Sequence, residues 1–398
     1  MNNDNLLDAL NRQLRRAGEN DFYKARWGET PPQLASLDDF AAIAPVEQGA
    51  YAADAFAVDA PRGSFFRDDV VRVNLSPSPR GLRPIYLTAN DVAALKRTNA
   101  KLYAAAGVGP GDVAITTLSY ALFPAGLMIH DAFEELGVKV IPVGPGDTER
   151  TIELIRKWKV SVLYSNPSFA LRLGQEGIEG IRVLIAGGEP FSAIPGYKDK
   201  VRAALGGDAV LTESYGLAEC TPVARECRHE NGMHIVDDWC HVEILDPESD
   251  RPVAPGEVGE ITVTHLDKEA MPLVRYRTGD LAALKNEPCA CGRSLTIDGG
   301  IRGRVGSMRK IKGVKLYPEQ VRDVLDRVDA VKGRRYRLYF RQQEKGTAHL
   351  RLEVEGAALA DGVADAIRAA FRRDIVIVPN EIAAVGALGE GPLLVDED

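Results

Sequence analysis

Between residues 88 and 190 the chain alternates helical segments with short apolar segments, and this alternation limits the possible folds more than any other feature. The segment that begins at Thr88 keeps helical spacing from a threonine cap to a glycine stop. Short apolar runs follow at 112–118, 138–143, 160–166 and 181–190. Strict alternation predicts right-handed crossovers and a largely parallel, doubly wound sheet, with ligands at the carboxyl ends of its strands.

The pattern changes after Cys227, where short β segments are split by Pro, Gly and Asp. We expect a β-rich subdomain at about 227–295 that closes one side of the sheet. The glycine-rich stretch 299–306 predicts the domain boundary. The expected fold is therefore α/β, with a large N-terminal domain (1–302) and a small mobile C-terminal α+β domain (303–398) that ends in a helix to about Arg373 and a strand at 374–379.

Charge and composition exclude several classes of protein. The net charge of −8 over 398 residues provides no general attraction to nucleic acid or anionic membranes. The N-terminal twenty residues predict an amphipathic helix rather than a signal peptide, and the apolar runs are too short to span a bilayer. Five cysteines are too few for a disulfide scaffold. We expect a cytoplasmic monomer or homodimer that binds neither nucleic acid nor membrane.

The most specific motifs are SYGLAE at 214–219 and, about 60 residues later, LVRYRTGDL at 273–281. AGGEP at 186–190 precedes them in the expected order. This ordered set resembles the acyl-adenylate-forming (AMP-binding) ligase superfamily. The variant KEAMPLVRYRTGDL resembles the phenylacetate-CoA ligases in particular, and the resemblance extends over nearly the whole chain.

The resemblance implies a site that activates a carboxylic acid with ATP. It assigns the nucleotide contacts as follows: Gly187, Gly188 and Glu189 beside adenine, Tyr215 with Gly216 at its ring face, Asp280 on the ribose hydroxyls, Arg304 on ribose or phosphate, and Glu219 on Mg²⁺. Glu219, Arg304 and Lys312 are the implied catalytic residues. Taken singly, Asp280 could instead cap a turn, Tyr215 could be a core residue and Glu219 a surface acid.

Two departures from the family pattern weaken the case for adenylation. The phosphate loop is NLSPSPRGLRPIYLT, in which Pro77 and Pro79 lack N–H groups, so Arg80 and Arg83 are left to bind phosphate oxygens. At the C-terminus Pro392 stands where the family has a lysine. Loss of that cation should slow adenylation by several kcal/mol of transition-state stabilisation, on the order of lost electrostatic catalysis.

The cysteines predict a separate metal site. Cys227 and His234 lie in CRHENGMH, and Cys289 and Cys291 lie in CACGR some 55 residues later. Three thiolates and an imidazole suffice for a tetrahedral structural Zn²⁺ with no open position for catalysis. His229 is a competing ligand, and reduced, buried cysteines without metal are the alternative.

The resemblance implies that the acid pocket is formed by the segment 119–133 and by the loop before the Tyr-Gly-x-x-Glu motif. The candidate pocket residues are Tyr120, Phe123, Ala125, Gly126 and Ala186, with Gly216 and Leu217 near the carboxylate. Aromatic and small residues together suit a flat aryl acid. His130 could pair with a polar ring substituent or be an ordinary helix histidine.

The leading hypothesis is an AMP-forming acid–thiol or acid–amine ligase. It would adenylate a small aromatic carboxylic acid and pass the acyl group to CoA, an amine or a carrier protein, with ATP, Mg²⁺ and structural Zn²⁺ as cofactors. Rotation of the C-terminal domain would present Lys312 to the nucleophile. A second hypothesis is an acyltransferase that uses a preformed acyl-adenylate or acyl-CoA, and a third is a non-enzymatic nucleotide-binding homologue.

Overall fold

The structure is a computed structural model that describes residues 2–57, 63–78, 81–307, 309–311, 314–316, 318–343, 347–374, 377–389 and 393–396. The chain divides into two compact units, residues 1–301 and 302–398. Each unit has buried apolar side chains of its own. No helix in the described part of the chain has both the length and the apolar character that a membrane span requires.

Helices and strands alternate along the first unit. Its described helices are α1 (Asn3–Ala17), α2 (Asp21–Trp27), α3 (Gln48–Ala57), α4 (Ala89–Ala105), α5 (Pro124–Glu135), α6 (Thr148–Trp158), α7 (Pro167–Gln175) and α8 (Tyr197–Ala204). Its described strands are β1 (Val70–Ser78), β2 (Gly81–Thr88), β3 (Val113–Thr116), β4 (Lys139–Pro142), β5 (Val162–Ser165), β6 (Val183–Gly187), β7 (Val210–Tyr215), β8 (Ala224–Arg225), β9 (Met233–Ile235), β10 (Cys240–Leu245), β11 (Gly259–His265), β12 (Tyr276–Asn286) and β13 (Leu295–Arg304).

One mixed sheet organises most of these strands. The strands β7, β6, β5, β3 and β4 are neighbours in that order and pair in parallel. The sheet then continues from β7 through β8, β9, β13, β12, β11 and β10, with antiparallel pairing from β7 to β13 and from β12 to β10. The prediction of an α/β fold is confirmed, but the β-rich segment extends the same sheet rather than forming a layer of its own.

The parallel half of the sheet is buried as its sequence predicts. Every residue of β5 and β6 is buried, which is typical of parallel strands covered on both faces. The helices α5 and α7 both begin with proline, whose missing N–H is harmless at a helix start. α7 begins just after β5, and α5 begins after the segment 117–123 that follows β3, so both helices come after the carboxyl ends of parallel strands.

The start of α4 is joined to the segment that precedes β12. Thr88 Oγ1 accepts a hydrogen bond from Asp91 N at 3.1 Å, and Thr88 N donates to Asp91 Oδ2 at 3.1 Å, which completes a capping box. Lys268 Nζ donates to Asp91 Oδ2 at 2.9 Å, and Glu269 N donates to Asp91 Oδ1 at 2.8 Å. Both Asp91 and Lys268 are buried, so this ion pair links two segments that are distant in sequence.

The hairpin of β1 and β2 contains the predicted phosphate loop. The two strands pair antiparallel, with Ser76 opposite Arg83 and Asn74 opposite Ile85. Asn74, Ser76, Arg83 and Ile85 are buried, whereas Val73 is 52% exposed. Arg83 therefore points to the protein interior from the strand that follows the loop.

The second unit contains β14 (Arg309–Ile311), β15 (Val314–Leu316), β16 (Tyr336–Gln343), β17 (Thr347–Glu355), β18 (Glu381–Val385) and β19 (Leu394–Asp396), with helices α9 (Pro318–Asp326) and α10 (Val363–Asp374). Four of these strands form a sheet in the order β18-β17-β16-β19. The strand expected at 374–379 is not observed, because Asp374 ends α10 and residues 377–379 belong to no helix or strand. The strand in this region begins later, at Glu381.

Candidate active site

The carboxyl ends of β6 and β7 lie side by side. The two strands pair in parallel, with Ala186 opposite Glu213 and Gly187 opposite Ser214. Gly187 ends β6 and Tyr215 ends β7. The predicted adenine loop and the predicted stacking tyrosine therefore occupy one edge of the sheet, where open α/β sheets bind their ligands.

The loop after β6 requires glycine and is held by its neighbours. Gly188 has a φ of +81°, and a Cβ atom there would lie 2.7 Å from Nδ2 of Asn166. Asn166 Nδ2 donates to the carbonyl of Gly187 at 2.9 Å. The carboxylate of Glu189 accepts hydrogen bonds from Ser168 N at 3.1 Å and Ser168 Oγ at 2.8 Å. Glu189 thus stabilises the start of α7 and fixes the loop through it.

The structure brings Tyr215 and Asp280 together. The Tyr215 hydroxyl donates to Asp280 Oδ2 at 2.9 Å, although the two residues are far apart in sequence. Asp280 N donates to Thr278 Oγ1 at 3.1 Å, next to Gly279 with a φ of +76°. Asp280 is half-buried, and a carboxylate accepts several hydrogen bonds at once. The arrangement can hold a planar ring and a diol at neighbouring positions.

Glu219 lies deeper, in the loop after β7. Its side chain is 2% exposed and forms an ion pair with Arg83, whose side chain is 8% exposed. The Tyr276 hydroxyl donates to Glu219 Oε1 at 3.1 Å. One carboxylate oxygen, Oε1, accepts from both Arg83 and Tyr276, and the cation of Arg83 already neutralises the charge of the buried carboxylate. This arrangement does not fit a Mg²⁺ ion bound directly by Glu219.

The predicted acid-pocket residues cluster at the start of α5. Phe123 is its N-terminal capping residue, and Ala125 and Gly126 lie in its first turn. A Cβ atom on Gly126 would lie 2.3 Å from the carbonyl oxygen of Ser119, so this position admits only glycine. Tyr120 lies in the segment just before the helix. Ala186, at the end of β6, is fully buried.

The Tyr120 hydroxyl belongs to a short chain of polar groups. Its oxygen lies 3.1 Å from Nδ1 of His130, and Nε2 of His130 lies 3.3 Å from Glu134 Oε1. Burial, with the charges of Asp131 and Glu134, raises the pKa of Tyr120, so the hydroxyl stays protonated and able to donate. His130 therefore contacts a predicted pocket residue rather than serving only as a surface histidine.

A small cavity connects α5 with the loop after β7. Its walls include Pro124 and Met128 from α5, Ala218 and Glu219 from the loop, and Trp239. Gly216 in that loop has no room for a side chain, because a Cβ atom would lie 2.4 Å from Thr221 Oγ1. Met128, Trp239 and Tyr276 are not among the residues predicted from the sequence. Tyr276 lies within the LVRYRTGDL motif, so the motif could have indicated it.

The four predicted metal ligands converge. Their ligand atoms all lie within 4.8 Å of one another: Cys227, His234, Cys289 and Cys291. The Sγ atoms of Cys227 and Cys289 are 3.7 Å apart, and Cys291 Sγ lies 3.3 Å from Nε2 of His234. Zn–S bonds of about 2.3 Å in a tetrahedron place two sulfurs roughly 3.8 Å apart. The residues fit a Zn²⁺ ion, and His229 is not among the converging ligands in the described part of the chain.

Four positions named from the sequence lie outside the described residues, namely Pro79, Arg80, Lys312 and Pro392. Arg304 ends β13 in the second unit and is exposed. Leu217 is half-buried in the loop after β7, where its N–H donates to the carbonyl of Cys220 at 2.9 Å. The roles assigned to these residues stay predictions.

Comparison with known proteins places the chain in a family. The family model described as "AMP-binding enzyme" matches residues 85–266. A phenylacetate-coenzyme A ligase of Thermus thermophilus is 37% identical over 271 residues, which are 65% of this chain and 60% of the relative. Another, of Pseudomonas putida, is 32% identical over 335 residues, 80% of this chain and 74% of the relative. The chain therefore belongs to the AMP-binding enzymes, in the family of the phenylacetate-coenzyme A ligases.

Solved structures agree with this fold. A 2-hydroxyisobutyryl-CoA ligase in an open conformation, in complex with 2-HIB-AMP and CoA, has a TM-score of 0.84 at 24% identity, covering 98% of this chain and 91% of that one. The amide bond synthetase McbA from Marinactinospora thermotolerans has a TM-score of 0.58 at 16% identity, covering 85% and 72%. The α/β fold of this chain is therefore that of known adenylate-forming enzymes.

Proposed function

We propose that this chain activates a small aromatic carboxylic acid with ATP, as an acyl-adenylate, and transfers the acyl group to CoA. The observation that carries the proposal is the contact between Tyr215 and Asp280 at the carboxyl edge of the sheet. It provides a ring and a carboxylate where a nucleoside needs them. Membership of the phenylacetate-coenzyme A ligase family supports the same reaction.

In the first step a carboxylate oxygen of the acid attacks the α-phosphorus of ATP. The bond from that phosphorus to the bridging oxygen breaks, and pyrophosphate leaves. Asp280 accepts hydrogen bonds from the ribose hydroxyls, and the Tyr215 hydroxyl keeps the Asp280 carboxylate in the required orientation. Positioning of this kind provides much of the catalysis in phosphoryl chemistry. Mg²⁺ bound to the phosphates would neutralise their charge.

In the second step the thiol of CoA loses its proton to solvent and its sulfur attacks the acyl carbon, and AMP leaves with the electron pair of the broken mixed anhydride. Arg304 and Lys312 are the proposed contributors from the second unit, as the family resemblance implies. Amine or carrier-protein acceptors follow the same chemistry, with nitrogen or a carrier thiol in place of the CoA sulfur.

An aryl acid is the proposed substrate because of the residues at the start of α5. Gly126 lets the start of α5 pack closely against the Ser119 backbone, Ala186 is a small buried side chain at the end of β6, and Tyr120 offers a protonated hydroxyl held by His130. The curated relatives are named for phenylacetate, which is a flat aryl acid of this kind. A polar ring substituent could accept from Tyr120.

A structural Zn²⁺ ion is also part of the proposal. Cys227, His234, Cys289 and Cys291 would hold it and would leave no position open for a substrate. Its role would be to fasten the loop after β8 and strand β9 to the segment between β12 and β13.

Pyrophosphate release with ATP, Mg²⁺ and a panel of phenylacetates and benzoates tests the ligase reaction. We expect release that depends on one group of aryl acids, and CoA thioester formation with the same acids. ATP binding without pyrophosphate release for every acid would contradict a self-sufficient ligase.

A second candidate is an acyltransferase that starts from a preformed acyl-adenylate. The specific observation in its favour is that Arg83 is paired with Glu219 and so is not directed to a triphosphate. Pro77 and Pro79 in the phosphate loop also favour the acyltransferase, because they lack the N–H donors that would bind a triphosphate. A synthetic phenylacetyl-adenylate supplied with CoA separates the two: thioester from the adenylate but not from ATP and acid favours the transferase.

A further inference from the structure

Arg83 and Glu219 form a buried ion pair at the centre of the candidate site. Arg83 lies on β2, after the predicted phosphate loop, and Glu219 lies in the loop after β7. Their side chains are 8% and 2% exposed. Tyr276, at the start of β12, donates to the same carboxylate at 3.1 Å. Three segments of the first unit therefore meet at this carboxylate.

A metal ion bound to Oε1 of this carboxylate would have to displace the Arg83 guanidinium. Mg²⁺ keeps most of its water shell and demands octahedral geometry, which needs room around the ligand oxygen. Displacing Arg83 would leave a guanidinium buried without an anion, which is strongly unfavourable. Nε of Arg83 already has no hydrogen-bond partner among the described residues, so its environment offers little compensation.

We propose that Arg83 replaces a divalent cation as the partner of Glu219. The pair acts as a positioning element: it ties β2 to the loop that carries Gly216 and Leu217. This inference rests on the proposed function only in treating that loop as part of the acid and nucleotide site. Arg83 is thus a positioning residue, and Glu219 is not a metal ligand in this chain.

The first test measures metal binding directly, without nucleotide. Zinc-loaded protein, in which the cysteine cluster is already occupied, is titrated with Mn²⁺, and free Mn²⁺ is followed by electron paramagnetic resonance. We expect the isotherms of the wild type and Glu219→Gln to agree within about twofold, as they should when the carboxylate holds no metal. A Mn²⁺ site at least about tenfold tighter in the wild type than in Glu219→Gln would overturn the proposal. Glu149→Gln, an exposed acid on α6, is the matched control.

The second test is a double-mutant cycle on the pair. Arg83→Met leaves the carboxylate buried without its cation, whereas Arg83→Met with Glu219→Gln removes both charges. We expect the two single changes to be non-additive by roughly tenfold or more in the unfolding equilibrium constant. Additive effects would contradict the pairing. If Arg83→Met does not fold, Arg83→Lys with and without Glu219→Gln completes the cycle.

AMP affinity distinguishes a positioning role from a purely structural one. Arg83→Lys keeps the charge, so we expect it to retain AMP binding within about threefold, while Arg83→Met weakens binding by roughly tenfold at a temperature where both are folded. Equal AMP affinity in all three proteins would refute the positioning role. Absence of AMP binding in the wild type would instead contradict the proposed function and leave the Mn²⁺ comparison unaffected.

Discussion

Tyr215 and Asp280 show, at the residue scale, how two ordinary side chains form the proposed nucleoside site. The tyrosine hydroxyl donates to the carboxylate, which orients the acid before any ligand arrives. The bend at Gly279 turns the carboxylate to this position. Such preorganisation reduces the entropy lost when a ribose binds.

Replacing Asp280 with alanine should weaken AMP binding. Hydrogen bonds to a charged group contribute about 1.5–3 kcal/mol, so we expect a loss of roughly 10- to 100-fold in affinity, measured by isothermal titration calorimetry. Tyr215→Phe, which keeps the ring and loses the hydroxyl that donates to Asp280, should cost less. Asp199→Ala, on the exposed face of α8, is the control, and unchanged AMP affinity in Asp280→Ala would contradict the assignment.

At the residue scale, some groupings could be inferred from the sequence because a motif fixes the spacing of its own residues. The cysteine and histidine positions predicted the four ligands that converge, because each pair lies within a few residues of its partner. The partner of Glu219 was not predictable in this way. Arg83 was expected to bind phosphate, but its pairing depends on the register of β1 and β2 and on contacts with a loop more than a hundred residues away.

At the scale of elements, the start of α4 depends on a buried ion pair. Burial alone would raise the pKa of Asp91, but the charge of Lys268 and hydrogen bonds from the backbone of Glu269 and Ala270 bring it below its usual value. The folded state therefore favours the ionised carboxylate. Its contribution to stability is present above the unfolded-state pKa, near 3.9, and is lost as the pH falls through the lower folded-state pKa.

Asp91→Asn should accordingly destabilise the protein in a pH-dependent manner. We expect a loss of about 3–5 kcal/mol at pH 7, since Lys268 is left buried without a countercharge. The difference from the wild type should shrink as the pH is lowered below about 4. Urea unfolding of the variant and the wild type between about pH 3 and pH 7 measures this difference in stability, with Asp199→Asn as the exposed control. A difference that stays constant with pH would disprove the charge-based explanation.

The cysteine cluster is the second element whose stability can be tested. Cys291→Ser removes one proposed zinc ligand, so we expect the variant to lose bound zinc, measured by native mass spectrometry, and to melt roughly 5 °C or more below the wild type. His229→Gln is the matched control and should retain the metal, because His229 lies outside the converging group. Zinc retained in Cys291→Ser and lost in His229→Gln would reverse the ligand assignment.

At the scale of the whole molecule, the two units have separate cores. Leu338, Leu352 and Ile367 are fully buried within the second unit, and none of the buried core of the first unit is shared with them. Domains with separate cores usually unfold separately unless their interface is large. Each unit therefore has its own stability.

Differential scanning calorimetry should resolve two transitions. A zinc chelator should lower only the transition of the larger unit, because all four proposed ligands belong to residues 1–301. We expect the other transition to move by less than about 1 °C. A shift of both transitions by the same amount would mean that the two units unfold as one.

The continuity of the large sheet was beyond prediction from sequence. Short β segments split by Pro, Gly and Asp indicate strands, but their pairing partners depend on antiparallel registers that local sequence does not encode. His234 lies on β9, which β8 joins to β7, the strand that ends in Tyr215. The proposed metal and nucleotide sites thus share one hydrogen-bonded ladder.

This shared ladder implies thermodynamic reciprocity between zinc and AMP. If occupation of the cysteine cluster steadies β8 and β9 and so favours the geometry of Tyr215, AMP must in turn tighten zinc binding by the same factor. Zinc occupancy would then set the affinity of the protein for AMP. In a cell short of zinc, the protein would bind its nucleotide more weakly.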